Sequence, residues 1–350
     1  MSKPRKAESI TLLLALAFVF TSLFSGIGAV GFAADEGTRL YGSDRYETAA
    51  EISQKGWKSS DSVVLVSGQD FPDALVAGPL AQKLDAPILL TMKDKLPDVT
   101  KDEIDRLDAK KVYIVGGTAA VSEDVADTID KPVKRICGND KHETAVAVAK
   151  ELKDLGVSTD GVIITRSDDY ADALAAAAVK PALPILFAGS HTDTLLPETT
   201  ENALVDLGVK DVVIVGDIGA VSEAIEEQIG NVVSYVFRVG GDDRFKTAAQ
   251  IAAAFVPDDG YKGVVLATGK DYPDALAGGP YAAKNGYALL LTGDARNPVD
   301  DTVIDLIRDN TAIMADVIVI LGGPKVVPDK AVSDVIDAGE ANGLSTIDVY

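Results

Sequence analysis

Apolar residues fall in this chain as short uninterrupted runs, without alternation of apolar and polar positions. Val63-Val-Leu-Val66, Val112-Tyr-Ile-Val115, Val162-Ile-Ile164, Val212-Val-Ile-Val215, Val264-Val-Leu-Ala267 and Val317-Ile-Val-Ile-Leu321 are all of this kind. A strand that is apolar at every position must be covered on both faces, which predicts parallel sheets flanked by helices. Between the runs lie stretches such as Ala74–Leu84 and Thr100–Leu107, read as amphipathic helices. The fold class is therefore α/β.

The pattern also repeats. Arg39-Leu-Tyr-Gly-Ser-Asp44-Arg45-Tyr-Glu-Thr48 returns as Arg135-Ile-Cys-Gly-Asn-Asp140-Lys141-His-Glu-Thr144 and as Arg238-Val-Gly-Gly-Asp-Asp243-Arg244-Phe-Lys-Thr247. Phe71-Pro-Asp73-Ala-Leu75 returns as Tyr170-Ala-Asp172-Ala-Leu174 and Tyr272-Pro-Asp274-Ala-Leu276. Ile88-Leu89-Leu90 is echoed by Ile185-Leu-Phe187 and by Leu289-Leu290-Leu291, and Gly116-Gly117 by Gly216-Asp217 and Gly322-Gly323. Four blocks in one order, three times, predict three tandem units at 34–134, 135–237 and 238–350, each with about four βα units and packed against its neighbours. Asp44 with Glu47, and Asp140 with Glu143, have the spacing of capping boxes; Lys246 breaks it in the third copy.

Residues 1–33 stand apart. Lys3, Arg5 and Lys6 precede a fifteen-residue apolar run, Ile10–Phe24, and small residues follow at Gly31-Phe-Ala33-Ala34. That order predicts a secretory leader cleaved after Ala33; the run falls short of the ~20 apolar residues a membrane span needs, and no later stretch is long enough. The formal charge of −21 excludes the basic patches of non-specific nucleic-acid binding. With Cys137 alone no internal disulfide can form, and Cys137 is expected as a small buried hydrophobe.

In parallel sheets, chemistry gathers where strands end and helices begin. The repeated polar residues fall there. Asp73, Asp172 and Asp274 have two readings, helix N-terminus or ligand carboxylate. Gly116-Gly117 and Gly322-Gly323 serve either a tight turn or an anion, although no phosphate-loop motif accompanies them. Arg45, Lys141 and Arg244 stand in a helix first turn, the unfavourable end for a cation. Each needs a partner, either an internal carboxylate or an external anion, and Arg39, Arg135 and Arg238 pose the same choice. Asp44, Asp140 and Asp243 are helix caps, Ser67 closes its strand, and the Ile-Leu-Leu triplets read as a central strand. Catalytic motifs such as HExxH or GxSxG do not occur. His142 takes the slot of Tyr46 and Phe245 and is expected to pack, while His191 lies in a polar loop without a recurring partner. The many carboxylates leave a glycosidase-type acid pair open, but repetition suits avidity better than one active centre.

These blocks, from Arg39 through Gly42-Ser-Asp44-Arg45-Tyr-Glu-Thr48, Phe71-Pro-Asp73-Ala-Leu75, Ile88-Leu89-Leu90 and Ile114-Val-Gly116-Gly117, resemble the cell-wall-binding repeat 2 family of Gram-positive surface proteins. The resemblance covers residues 38–350. It implies Rossmann- or Toprim-like modules in a pseudo-threefold arrangement on the cell surface. It also implies non-covalent attachment to an anionic secondary wall polysaccharide or teichoic-acid-like polymer, involving the Ile-Leu-Leu region and nearby polar groups. The second copy departs at Cys137, Lys141, His142, Ala171, Phe187 and Asp217. No enzymatic cofactor is expected, although divalent cations bridging carboxylates and polymer phosphates would reconcile an acidic protein with an anionic ligand. No separate functional domain is expected beside the repeats. A wall hydrolase or amidase, and a self-assembling surface-layer subunit with surface-layer partners, are the alternatives.

Overall fold

Each uninterrupted apolar run becomes a strand covered on both faces. The computed structural model describes residues 39–294, 296–309, 317–341 and 348–349; the expected leader lies outside them. The first pass comprises β1 (Arg39–Leu40), α1 (Arg45–Gly56), β2 (Ser62–Ser67), a 3-10 turn at Ala74–Val76 leading into α2 (Ala77–Leu84), β3 (Ile88–Thr91), α3 (Asp98–Arg106), β4 (Lys111–Val115), α4 (Glu123–Asp127) and β5 (Val133–Ile136). The second comprises α5 (Lys141–Asp154), β6 (Gly161–Thr165), α6 (Ala171–Ala176), β7 (Ile185–Phe187), α7 (Glu198–Leu207), β8 (Asp211–Val215), α8 (Glu223–Gly230) and β9 (Tyr235–Val239). The third comprises α9 (Arg244–Ala254), β10 (Gly263–Thr268), α10 (Pro273–Asn285), β11 (Tyr287–Thr292), α11 (Asp301–Asp309), β12 (Val317–Leu321), α12 (Asp329–Ala341) and β13 (Asp348–Val349).

Three parallel sheets result, ordered β3-β2-β4-β5, β7-β6-β8-β9 and β11-β10-β12-β1. The strand that carries each leading arginine belongs to the sheet before it: Arg135 pairs with Ile114 of β4, and Arg238 with Ile214 of β8. The first arginine obeys the same rule by closing a ring. Arg39 and Leu40 pair with Ile320 and Leu321 of the third sheet, while Asp348 and Val349 pair with Val317 and Ile318 on the same edge of β12. One strand position is thus filled from both ends of the chain.

The modules meet around a pseudo-threefold axis. Phe71, Tyr170 and Tyr272, equivalent in the three copies, form a cluster with ring centroids 5.6, 5.9 and 6.0 Å apart. Such edge-on and tilted geometries are the favoured ones for aromatic pairs. Next to them run α2, α6 and α10, which are buried nearly throughout. The expectation of an amphipathic helix at Ala74–Leu84 is corrected accordingly: Ala74–Ala81 is buried on every side because other modules cover it. Small residues permit the approach. A Cβ placed on Gly78 would lie 2.5 Å from the Cβ of Ala177, and one on Gly279 3.5 Å from it.

The first-motif helix of each module leans on the axial helix of the module before it: α1 on α10, α5 on α2, α9 on α6. This packing also corrects the place of the Ile-Leu-Leu triplets. They form edge strands β3, β7 and β11, yet are buried, with β3 packed under α1 and, across the module boundary, α10. An exposed apolar edge would invite aggregation, and the neighbouring module hides it. At the far end of the axis a cavity of about 480 Å³ is lined from all three modules, by Lys83, Lys180 and Lys284 among others. No described helix is long and apolar enough to cross a membrane.

Gly78→Val is expected to destabilise the whole chain by about 1–3 kcal/mol through overpacking at the axis, read as a lower midpoint in denaturant. Gly117→Ala, where an added Cβ meets nothing within 4 Å, should stay within about 0.5 kcal/mol of the parent.

Candidate functional site

Three clefts open where one module meets the next, beside the C-terminal ends of β2, β6 and β10. The cleft between modules three and one is the largest, at about 420 Å³; those between two and three and between one and two measure about 240 and 220 Å³. Each is built from the opening motif of one module and the Phe/Tyr-x-Asp segment of the module before.

The opening motif is held rigidly by its own side chains. Asp44 accepts the N–H groups of Tyr46 and Glu47 at 2.8 and 2.9 Å, Asp140 that of Glu143 at 2.9 Å, and Asp243 those of Phe245 and Lys246 at 2.9 and 2.8 Å. All three are helix caps. The capping-box glutamates reach one residue further back than the cap: Glu47 accepts from Ser43 N–H at 2.7 Å and Glu143 from Asn139 N–H at 2.8 Å. In the third copy Lys246 instead meets Asp242 at 3.3 Å. Thr48, Thr144 and Thr247 each accept the N–H six residues back, at Gly42, Gly138 and Gly241, at 3.1 Å. Those glycines are required by crowding: a Cβ there would lie 2.1–2.3 Å from the Cβ of Glu47, Glu143 or Lys246.

The cations divide into two sets. Arg39 donates to the carbonyls of Gly322 and Val327 and pairs with Asp329 at 2.6 Å. Arg135 donates to Gly116, Val121 and Ser122 carbonyls and meets Glu123 at 3.3 Å. Arg238 donates to Gly216 and Asp217 carbonyls and pairs with Glu226 at 2.6 Å. These three fasten the incoming strand to the Gly-Gly turn. Arg45 and Arg244 instead cross module boundaries. Each donates to a carbonyl of its own module, Gly68 at 2.5 Å and Gly269 at 2.7 Å, and pairs with an aspartate of the preceding one, Asp271 at 3.2 Å and Asp169 at 3.0 Å. Their guanidiniums lie 5.7 and 5.3 Å from the ring centroids of Tyr272 and Tyr170. Lys141 reaches only the Ser167 carbonyl, at 3.0 Å. Its shorter, unforked side chain makes no ion pair with Asp70 among the described residues.

Asp172 and Asp274 stand in the first turn of their helices and Asp73 at the head of its 3-10 turn, as the helix-terminus reading has it, but they do not act as capping acceptors. None accepts a capping hydrogen bond. Each carboxylate faces the Gly turn after the third strand of its sheet, where Gly116, Gly216 and Gly322 take φ of +123°, +119° and +108°. A Cβ on these glycines would lie 3.2, 2.8 and 2.7 Å from the aspartate oxygens. Asp73 accepts from Gly117 N–H at 3.4 Å, yet burial pushes its pKa up. Asp172 and Asp274 have no hydrogen-bond partner among the described residues. Burial first, and the adjacent Asp169 or Asp271 second, push both up to about 6. Asp172 and Asp274 line their clefts as largely buried carboxylates whose acceptor positions are open to hydroxyl groups.

Other expectations resolve as follows. Ser67 is buried and accepts the N–H groups of Gln69 and Asp70 at 3.1 Å, shaping the loop that carries Asp70. Ile88, Leu89, Leu90, Leu289, Leu290 and Leu291 are at most 4% exposed, so they lie behind the clefts as core. Gly117 and Gly323 sit in the turn, with Gly323 on the rim of the largest cleft. His142 packs edge-on against Phe187, its ring centroid 6.1 Å away, and burial lowers its pKa. His191 has a local partner, Asp168, at 2.5 Å, which does not recur in the other copies, where Gln69 and Lys270 stand. Burial alone would raise the pKa of Asp168, but hydrogen bonds from Arg166 and His191 hold it well below the usual carboxylate range. Cys137 is exposed, against expectation, because it follows the last strand residue in the turn, a place held by exposed Tyr41 in the first copy. Sequence reasoning passed over Asp70, Asp169 and Asp271, and the axial role of Phe71, Tyr170 and Tyr272. Both sets recur in every copy, and that recurrence was the available signal.

Two outcomes follow from this geometry. A native pKa near 6, above the unfolded value of ~3.9, makes the folded state hold its proton more tightly, so Asp172 and Asp274 cost stability progressively as pH rises from about 4 to 6, and in full above that. An Asp172→Asn/Asp274→Asn double variant should therefore melt higher than the parent above pH 6, with the difference vanishing below pH 4 in thermal scans. Lys141→Arg should reach Asp70 and add about 0.2–1 kcal/mol, measured by denaturant unfolding and lost in 1 M salt.

Comparison with known proteins agrees with this architecture. The chain is 34% identical over 259 residues to the N-acetylmuramoyl-L-alanine amidase LytC of Bacillus subtilis, covering 73% of this chain and 50% of that protein. It is 32% identical over 255 residues to the Amidase enhancer of the same organism, covering 72% and 34%. The chain thus spans half or less of the curated relatives' length. Among solved structures, Cwp6 from Clostridium difficile superposes with a TM-score of 0.79 at 29% identity, over 95% of this chain and 52% of that one. Cwp8 from the same organism gives 0.73 at 26%, over 86% and 51%. The profile of Cell wall binding domain 2 (CWB2) matches residues 39–126, 135–226 and 238–332, one match in each module, and the chain belongs to this family of cell-wall-binding proteins.

Proposed function

We propose that this chain is a secreted, non-enzymatic anchor whose inter-module clefts hold an anionic secondary wall polymer. The observation that carries the reading is the threefold recurrence of an open cleft that presents the same motif residues. Contacts made in three clefts of one rigid body add through avidity.

The cleft chemistry narrows how a polymer would be held. The arginines for which the sequence left an internal carboxylate or an external anion open are occupied by internal carboxylates; of the six motif cations only Lys141 has none among the described residues, and Lys325 also lines the largest cleft. Carboxylates outnumber cations in each cleft. A polymer approaching here is held by its hydroxyl groups, with its phosphates or acid groups turned to solvent or joined to aspartates through a divalent cation. Among the described residues no group of three or more His, Cys, Asp or Glu is placed to hold a metal. A bridging ion would therefore complete its shell from polymer and water.

An amidase or hydrolase is the second reading, favoured by the names of the two Bacillus subtilis relatives. The decisive measurement is a pull-down of the protein on purified Bacillus subtilis walls, before and after the secondary polymer is stripped. Binding should fall at least tenfold after stripping, and no soluble wall fragments should appear. Undiminished binding to stripped walls would overturn the polymer reading, and steady fragment release the non-enzymatic one. Chelation should weaken binding if a cation bridges; unchanged binding discards the bridge alone.

A further inference from the structure

The three clefts share a backbone plan but not a surface. At the position after the leading arginine and its apolar neighbour stand Tyr41, Cys137 and Gly240. At the position four residues after the turn glycine stand Ala120, Ala220 and Val326. Both large apolar choices fall in the same cleft, the one between modules three and one. There Tyr41 is 49% and Val326 39% exposed, which marks them among the few large apolar side chains left open to solvent.

Tyr41 is also seated. A Cβ on Gly323 would lie 3.2 Å from Tyr41 Cδ2, so the bare glycine makes room for the ring. In the second module Asp217 stands at that turn position, facing a junction where Gly240 offers no ring. The same cleft is lined by Arg45, paired with Asp271, by Lys325, and by the carboxylate of Asp274. The cleft, at about 420 Å³, falls within the ~300–1,000 Å³ typical of small-molecule sites, and the other two fall below it.

A pyranose ring has an apolar face of C–H groups and an equatorial rim of hydroxyls. An open aromatic ring in a cleft lined by carboxylates offers both, because the ring can cover the C–H face while carboxylates of the same cleft accept the hydroxyls. We propose that the cleft between modules three and one is the single sugar-stacking site of the chain, with Tyr41 as its platform. It takes one uncharged or amino sugar unit of the wall polysaccharide, and the other two clefts make only auxiliary polar contacts. This rests on the polymer-anchoring reading above and assigns it a stoichiometry and a residue.

The test is calorimetric titration of the full chain with oligosaccharides released by mild acid from purified Bacillus subtilis walls, alongside the wall pull-down. One site per chain is expected. Tyr41→Ala should lower its affinity about tenfold with an unchanged melting temperature, Tyr41→Phe should retain it, and Cys137→Ala should have no effect. Three sites of equal affinity, or unaltered binding by Tyr41→Ala, would overturn the assignment while leaving wall binding intact. Failure of the parent protein to bind walls at all would remove the anchoring reading itself, and this assignment with it.

Discussion

The architecture depends on how closely three short helices can approach one axis. Helices α2, α6 and α10 bury most of their length between their own sheets and the neighbouring modules, with polar residues such as Lys83 and Lys284 only at their ends. Gly78, Ala177 and Gly279 let the backbones come together, and Phe71, Tyr170 and Tyr272 fill the space above them. Burial of this kind is worth about 25 cal/mol per Å² of apolar surface, and every module contributes to it. The edge strands β3, β7 and β11 are apolar for the same reason, because another module shelters them. A module of this sequence standing alone would expose both its axial helix and its apolar edge.

The clefts follow from that assembly. When three modules converge at their axial helices, their loops diverge above, and the gaps between opening motifs and Asp-bearing loops remain open. The arginines at these gaps are spent on cohesion. Arg45 and Arg244 tie one module to the next and rest on the axial tyrosines, so they contribute shape to the cleft more than free charge. What remains available to a ligand is carboxylate, backbone, the ammonium groups of Lys141 and Lys325 and, in one cleft, an aromatic ring. An acidic protein can bind a wall glycan on these terms because sugar hydroxyls donate as readily as they accept.

Sequence patterning revealed the fold class, the repeat number and the capping residues, because those depend on local periodicity and on side chains that act within a few positions. It failed where partners come from another module. Asp73, Asp172 and Asp274 looked like caps because they stand at helix starts, yet they face a glycine turn on a different strand. The Ile-Leu-Leu triplets looked central because they are apolar throughout, although the cover that makes them so lies outside their own sheet. For Arg39, Arg135 and Arg238 the choice between internal and external partners was open in sequence, and it is resolved by strands that join the preceding sheet. Cys137 misled through its chemistry: a small apolar side chain placed in a turn has nothing to bury it.

The third sheet completes its outer strand with Asp348-Val349 from one end of the chain and Arg39-Leu40 from the other. Cutting and rejoining the polypeptide there would leave the topology unchanged, as in a circular permutation. A passenger fused before residue 39 or after residue 349 would depart from one shared corner, next to the widest cleft. If the clefts hold the wall polymer as proposed, cargo of either attachment would hang at the same height above the wall and partly shade the same cleft.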